Sequence, residues 1–174
     1  MIVHLTGADF KAMPWTNGRG TTLELLRIER AGCLILRLSR AIVIEDGSFS
    51  LFPGIERNLT VLSGPGFTLM GEGLHCQALP LQPVGFSGDI LVQVKGVTAP
   101  SEDFNVMSAR SLKHPQVWLQ QAGQVAEDCA ILALSTGRIG GLSVAQYDLV
   151  VTDQPLRHDM TVIAVRSAEL FRPR

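Results

Sequence analysis

Short apolar runs separated by glycine and proline follow one another along the whole chain. The 17 glycines and 9 prolines interrupt the sequence too often for long helices, a punctuation typical of many brief β-strands. In residues 33–39, leucine occupies alternate positions, which is the period of a strand with one buried face. Comparable apolar or β-branched runs predict further strands at 41–44, 59–62, 67–70, 90–94, 104–107, 130–134, 147–152 and 161–166.

Residues 22–30 are compatible with two structures. Their leucine, glutamate and arginine residues would also suit a short helix. Gly18 and Gly20 precede the segment, however, and Gly32 follows it. We therefore interpret this segment as a strand.

The strand pattern repeats weakly along the chain. Residues 62–83 resemble residues 134–155, with Leu-Ser at the start and Gln-Pro at the end of both segments. Many short strands in two similar units favour two tandem barrels or jelly rolls, which protect their sheet edges. We predict an N-terminal barrel over 1–110, completed by a strand exchanged from the C-terminal half, and a smaller barrel over 111–174, joined near residues 109–115 in one compact unit.

Composition indicates a folded protein without a strong electrostatic field. Of the 174 residues, 46% are hydrophobic and 18% charged, and the mean hydropathy is +0.23. A net charge of -1 gives no broad positive potential that would attract a nucleic acid or an anionic membrane, so neither is expected as a partner. A homodimer is compatible with the sequence, and the expected partner is a small molecule.

Localisation is inferred from the apolar runs and the cysteines. The longest apolar run, residues 129–134, is far shorter than the roughly 18 residues of a membrane span, and no secretory signal is visible. Cys33, Cys76 and Cys129 form an odd set without a Cys-x-x-Cys motif, which is typical of buried thiols in a reducing compartment. We expect a cytoplasmic protein.

Several segments combine aromatic, amide, glycine and carboxylate residues in an order unusual for a core. They are residues 14–24 (PWTNGRGTTLE), 49–57 (FSLFPGIER), 62–66 (LSGPG), 86–89 (FSGD) and 103–107 (DFNVM). In this order and spacing, the chain resembles the HutD/Ves family over about its first 110 residues. The resemblance implies an all-β double cupin, meaning two tandem jelly-roll-like β-barrels of the RmlC-like type, in a cytoplasmic bacterial protein. For part of the family, it also implies a link to histidine utilisation or its regulation.

Metal and nucleophile signatures are missing from the sequence. Many cupins hold a metal with a His-x-His pair, but His4, His75, His114 and His158 lie far apart. Gly-x-Ser-x-Gly, P-loop and dinucleotide motifs are also absent. We therefore expect no metal, no cofactor and no catalytic residue, which favours binding over catalysis.

Arg57 is the central candidate for ligand binding. In the predicted strand it shares a face with Leu59, so its guanidinium should point inward and needs an anionic partner. A ligand could supply the anion, or the protein itself could. The carboxylates considered for such a pair are Glu56, Asp89 and Asp103. Arg37 raises the same question.

Asp103 and Asn105 lie on one side of an alternating strand. A carboxyl and an amide on the same inner face could orient an amino or amide group of a ligand. The two side chains could equally cap a turn after Pro100 and Ser101. The sequence leaves both interpretations open.

The remaining candidates would close and line the pocket. Trp15 and Asn17 precede a glycine-rich bend and could form a lid, or simply a tight turn. Glu24 would lie on the same side as Thr22 of its strand. The phenylalanines, more often core residues, would supply apolar walls. The predicted ligand-binding set is Trp15, Asn17, Glu24, Phe52, Arg57, Phe86, Asp103 and Asn105.

These observations predict non-catalytic binding or sensing of a small polar metabolite that carries a carboxylate, which Arg57 neutralises. An alternative is a metal-independent cupin enzyme, in which Glu24 or Asp103 acts as general acid or base on a small acid or sugar. A protein-interaction scaffold is a third alternative, for which an exposed apolar patch would be the sign.

Overall fold

The computed structural model describes residues 1–15 and 20–171, and within them the protein is built from β-strands. The only helix in these residues is a single 3-10 turn at Ala168–Leu170. The predicted all-β class is confirmed.

The strands are short and follow one another closely. Up to residue 109 they are β1 (Ile2–Leu5), β2 (Lys11–Pro14), β3 (Thr21–Arg30), β4 (Cys33–Val43), β5 (Gly47–Ser48), β6 (Ile55–Ser63), β7 (Phe67–Gly71), β8 (Leu74–Ala78), β9 (Val84–Ser87), β10 (Gln93–Lys95) and β11 (Ser101–Ala109). The later strands are β12 (Gln116–Gln120), β13 (Gly123–Val125), β14 (Cys129–Ala133), β15 (Gly137–Ile139), β16 (Leu142–Val144), β17 (Leu149–Thr152), β18 (Leu156–His158) and β19 (Val162–Arg166).

Four antiparallel sheets arise from these strands. The first inner sheet has the order β2-β3-β4-β11-β6-β9, and the first outer sheet has the order β5-β10-β7-β8. The second inner sheet has the order β1-β17-β14-β19-β12, and the second outer sheet has the order β13-β18-β15-β16. Strand β1 pairs with β17, so an N-terminal strand completes a sheet of the later half, whereas the sequence suggested a strand donated by the C-terminal half.

Alternation along the inner strands creates three apolar layers. On β4, Leu36 and Leu38 are fully buried in a central core together with Leu132 and Ile163 of the second inner sheet. The opposite face of the first inner sheet packs on the first outer sheet, and a third core lies within the second half. Because side chains alternate across a strand, the intervening residues of β4, Arg37 and Ser39, point to the opposite face, toward the first outer sheet.

Most predicted strands are confirmed, with corrections at their ends. Segments 33–39 and 41–44 form one continuous strand, β4, and residues 22–30 lie within β3. The predicted strand 90–94 is wrong in its first half. A turn ends at Ile90, and the strand β10 begins only at Gln93. Tyr147 has a left-handed backbone with φ +69°, so β17 begins two residues later.

One cysteine prediction is also wrong. Cys33 is exposed, because it follows directly on the turn at Ala31 and Gly32, where both residues have positive φ. Cys129 is buried in the core of the second half, and this burial raises the pKa of its thiol to about 11.

The internal repeat corresponds to a shared chain path. In the first half, β6 of the inner sheet is followed by the β7-β8 hairpin of the outer sheet. In the second half, β14 of the inner sheet is followed by the β15-β16 hairpin of the other outer sheet. In both halves, the repeated sequence segment therefore covers the passage from an inner-sheet strand into a hairpin of the outer sheet.

Candidate functional site

A cavity of about 280 Å³ lies between the first inner sheet and the loops and strands that cover it. Among the described residues, its lining combines two guanidinium groups, one carboxyl, one amide, hydroxyls and aromatic rings. The lining residues are Met13, Pro14, Trp15, Thr22, Arg37, Ser39, Ala41, Val43, Ser48, Phe49, Ser50, Phe52, Arg57, Asp103, Asn105 and Met107.

Antiparallel pairing places the polar residues side by side. Asp103 lies opposite Ala41, and Asn105 lies opposite Ser39. Ala41 and Ser39 are small, so the face of β4 that looks toward the cavity leaves room above the strand. On the other side of β11, Met107 pairs with Arg57 of β6.

Arg57 is a buried cation without a direct ion pair to any carboxylate in residues 1–15 and 20–171. Its side chain is 6% exposed, and Nη2 donates a hydrogen bond of 3.0 Å to Asn105 Oδ1. Its Cζ lies 4.9 Å, 5.4 Å and 4.9 Å from the ring centroids of Phe49, Phe52 and Phe86. Nε is buried and finds no hydrogen-bond partner among the residues that the structure describes. Burial lowers the pKa of the guanidinium to about 10.

Of the carboxylates considered for Arg57, two are engaged elsewhere. Glu56 and Asp89 both form ion pairs with the exposed Arg110. Asp103 is linked to Arg57 only through an amide, because Asn105 Nδ2 donates to Asp103 Oδ1 while Asn105 Oδ1 accepts from Arg57. We call this chain of Arg57, Asn105 and Asp103 the polar relay.

Asp103 is the most perturbed acid of the site. Its side chain is 1% exposed, and burial raises its pKa to about 7 against the opposing influence of Arg57 and of the Asn105 hydrogen bond. A carboxyl with this pKa exchanges its proton near neutrality, so it can both donate and accept hydrogen bonds in the cavity.

Arg37 has the protein carboxylate that Arg57 lacks. Its Nε lies 2.7 Å from Glu24 Oε2, and Glu24 also contacts Arg27 at 3.5 Å. Glu24 is not among the residues that line the cavity, so the structure places it beside Arg37 rather than in the cavity wall. Arg37 was missing from the predicted ligand-binding set, although its alternation with the small residues Ser39 and Ala41 could have indicated it.

The predicted apolar residues divide between the cavity wall and its support. Trp15 lines the cavity, and its Nε1 donates a hydrogen bond of 2.9 Å to Thr22 Oγ1. Phe52 also lines it, as does Phe49, which the predicted set omitted. Phe86 packs on Arg57 but does not line the cavity. Asn17 lies outside the described residues.

In the described part of the chain, no three His, Cys, Asp or Glu side chains come together as a set that could hold a metal ion. There, too, no helix has the length and apolar character needed to cross a bilayer.

Two stacked pairs of antiparallel sheets, with a polar cavity in the first pair, define a double cupin. The predicted fold is thereby confirmed. The chain belongs to the HutD family, whose family model matches residues 7–170.

Related proteins agree with this assignment. An uncharacterised 21.2 kDa protein from the hutC 3′ region of Pseudomonas putida is 38% identical over 108 residues, covering 60% of this chain and 57% of the relative. The protein Ves of Citrobacter koseri is 36% identical over 108 residues, covering 59% and 56%. The aligned parts thus span little more than half of these relatives. The structure of HutD from Pseudomonas fluorescens SBW25 superposes with a TM-score of 0.78 at 27% identity, covering 95% of this chain and 97% of HutD.

Proposed function

We propose that this protein binds a small polar metabolite through a carboxylate in the cavity of its first barrel, as a sensor or carrier without catalytic activity. The observation that supports the proposal is Arg57, a buried guanidinium that faces the cavity and, within residues 1–15 and 20–171, has no carboxylate in direct contact. A buried charge of this kind is costly to leave uncompensated, and a carboxylate matches the planar fork of the guanidinium.

The other lining groups fit a ligand of limited size. A cavity of about 280 Å³ is at the small end of ligand sites, so it suits a molecule of metabolite size rather than a polymer. Asn105 and Asp103 would orient polar groups of the ligand, while Trp15 and Phe52 would cover its apolar part. Arg37, already paired with Glu24, would add a second and weaker positive contact.

A link to histidine utilisation is part of the proposal. It is supported by the family and by a relative described through its position beside hutC. The ligand would then be a carboxylate met during histidine breakdown, and the protein would act in the cytoplasm as a monomer or homodimer.

Calorimetric titration with formate, acetate, L-glutamate, L-histidine and histidine-pathway intermediates tests this proposal. Arg57→Ala should weaken binding by about tenfold or more, because a charge-assisted hydrogen bond contributes about 1.5–3 kcal/mol. Arg110→Ala is the matched control, because this arginine is exposed and lies outside the cavity. Unchanged affinity in Arg57→Ala would overturn the proposal.

One observation favours a second candidate, a metal-independent enzyme. Asp103 has a pKa of about 7 inside the cavity, which suits a general acid or base at neutral pH. Glu24 is less suited to this role, because it is paired with Arg37 outside the cavity lining. Loss of a probe molecule over time, followed by NMR and abolished in Asp103→Asn, would favour the enzyme. Saturable binding without turnover would favour the binding protein.

A further inference from the structure

We propose that the polar relay couples ligand binding to a proton, so that a carboxylate enters the cavity together with one proton held on Asp103. The inference rests on the proposed function, in which the cavity binds a carboxylate. It adds a second role for Asp103, as a neutral hydrogen-bond donor in the ligand-bound state.

With Asp103 ionised, the relay holds one positive and one negative charge, but the amide of Asn105 separates them, so Arg57 has no carboxylate in direct contact within the relay. One cation, Arg57, and one carboxylate, Asp103, are joined through the amide of Asn105, and all three side chains are buried. A ligand carboxylate bound beside an ionised Asp103 would place two negative charges against one positive charge away from water. Protonation of Asp103 restores the balance, because like charges in a buried site disfavour each other's ionised forms.

On the described parts of β4, β11 and β6, the other charged side chains near the relay are each paired. On β4, Arg37 faces the cavity but is paired with Glu24 of β3. On β11 itself, Glu102 alternates to the opposite face and pairs with Arg40. On β6, the neighbour of Arg57 in sequence is Glu56, which pairs with Arg110.

The titration of Asp103 places the effect near neutral pH. Burial already raises its pKa to about 7 in the free protein, and a ligand anion would raise it further. Above the free-state pKa, binding must restore the proton that Asp103 has lost. By linkage, the dissociation constant should then rise about tenfold per pH unit, up to the pKa of the ligand-bound form.

Acetate is a suitable probe, titrated by calorimetry from about pH 6 to about pH 9, where acetate stays ionised and Arg57 stays protonated. Parallel titrations in buffers of different ionisation enthalpy measure the protons taken up. The wild-type protein should take up about one proton per acetate above neutral pH. Asp103→Asn, which keeps the size and loses the charge, should bind acetate with an affinity independent of pH.

A second measurement covers the case in which Asp103→Asn does not fold. In the wild-type protein with 13C-labelled aspartate, one buried carboxyl should titrate near neutrality, and saturating acetate should move its titration to higher pH. The outcomes separate the two proposals. Acetate binding that is lost in Arg57→Ala but independent of pH in the wild type would overturn the proton coupling alone. The same pH dependence in Asp103→Asn would also overturn it. Absence of acetate binding at every pH would overturn both.

Discussion

Arg37 and Arg57 line the same cavity, yet their charges are compensated in different ways. Arg37 has a carboxylate at 2.7 Å, whereas Arg57 has an amide oxygen and three aromatic rings. A cation over an aromatic ring gains about 0.5–2 kcal/mol, less than the cost of removing a charge from water. Of the two, Arg57 is therefore the guanidinium that we propose as the partner of a ligand carboxylate.

The ion pair between Arg37 and Glu24 should contribute to the stability of the folded protein. Glu24→Gln should lower the free energy of unfolding by about 3–5 kcal/mol, because it leaves the buried Arg37 without its carboxylate. Glu29→Gln is the matched control, since Glu29 pairs with Arg27 but its side chain is 45% exposed. Its effect should stay below about 1 kcal/mol. Urea denaturation measures both.

Equal effects of Glu24→Gln and Glu29→Gln would contradict this account. They would mean that Glu24 contributes no more than a surface ion pair, and that Arg37 finds another partner. Arg37 would then resemble Arg57 and compete with it for the ligand.

The long strands of the inner sheets could be predicted from sequence, whereas most strands of the outer sheets could not, with β7 as an exception that the run at 67–70 predicted. Alternation over residues 33–39 and the apolar run at 104–107 carry enough residues to show a period. Gly47–Ser48 and Gln93–Lys95 are too short for any period, and their strand conformation depends on pairing with each other and with β7. Local sequence does not encode that pairing.

Part of the site was also visible in the sequence. Arg57, Asp103 and Asn105 could be placed on inward faces by alternation, and all three line the cavity. The sequence did not show whether Glu24 would face the cavity or pair with Arg37. This depends on the register between β3 and β4, which shifts next to Glu24. Such a register is a property of the assembled sheet and cannot be derived from either strand alone.

A turn after β9 supports the aromatic wall of the cavity and can be tested directly. Gly88 receives a hydrogen bond from Phe52 N at 2.8 Å, and an added Cβ would lie 2.5 Å from Phe52 O and 2.7 Å from Ile55 O. Gly88→Ala should therefore displace Phe52, lower the free energy of unfolding by about 1–3 kcal/mol and weaken ligand binding.

Gly7→Ala provides the control for this substitution, because an added Cβ there would meet nothing within 4 Å. Thermal unfolding and acetate titration of both variants give the comparison. If Gly88→Ala bound acetate like the wild type while losing stability, Phe52 would be a core residue rather than part of the site.

At the scale of the whole molecule, the two halves share their central core. Leu36, Leu38 and Phe104 from the first inner sheet pack in one cluster with Leu132 and Ile163 from the second. Strand β1 also runs from the N-terminus into the second inner sheet. Neither half can expose its inner sheet without losing this shared burial, which favours cooperative unfolding of the complete chain.

The two tryptophans make this cooperativity measurable. Trp15 lines the cavity of the first half, and Trp118 packs against the core of the second half, so Trp118→Phe and Trp15→Phe each leave one reporter. Leu132→Ala should lower stability by about 2–5 kcal/mol and move the urea midpoints of both reporters equally. Leu91→Ala, at a site that is 55% exposed, should move neither by a comparable amount. If Leu132→Ala shifted the Trp118 transition and left that of Trp15 in place, the halves would unfold independently, and the cavity would depend on the first half alone.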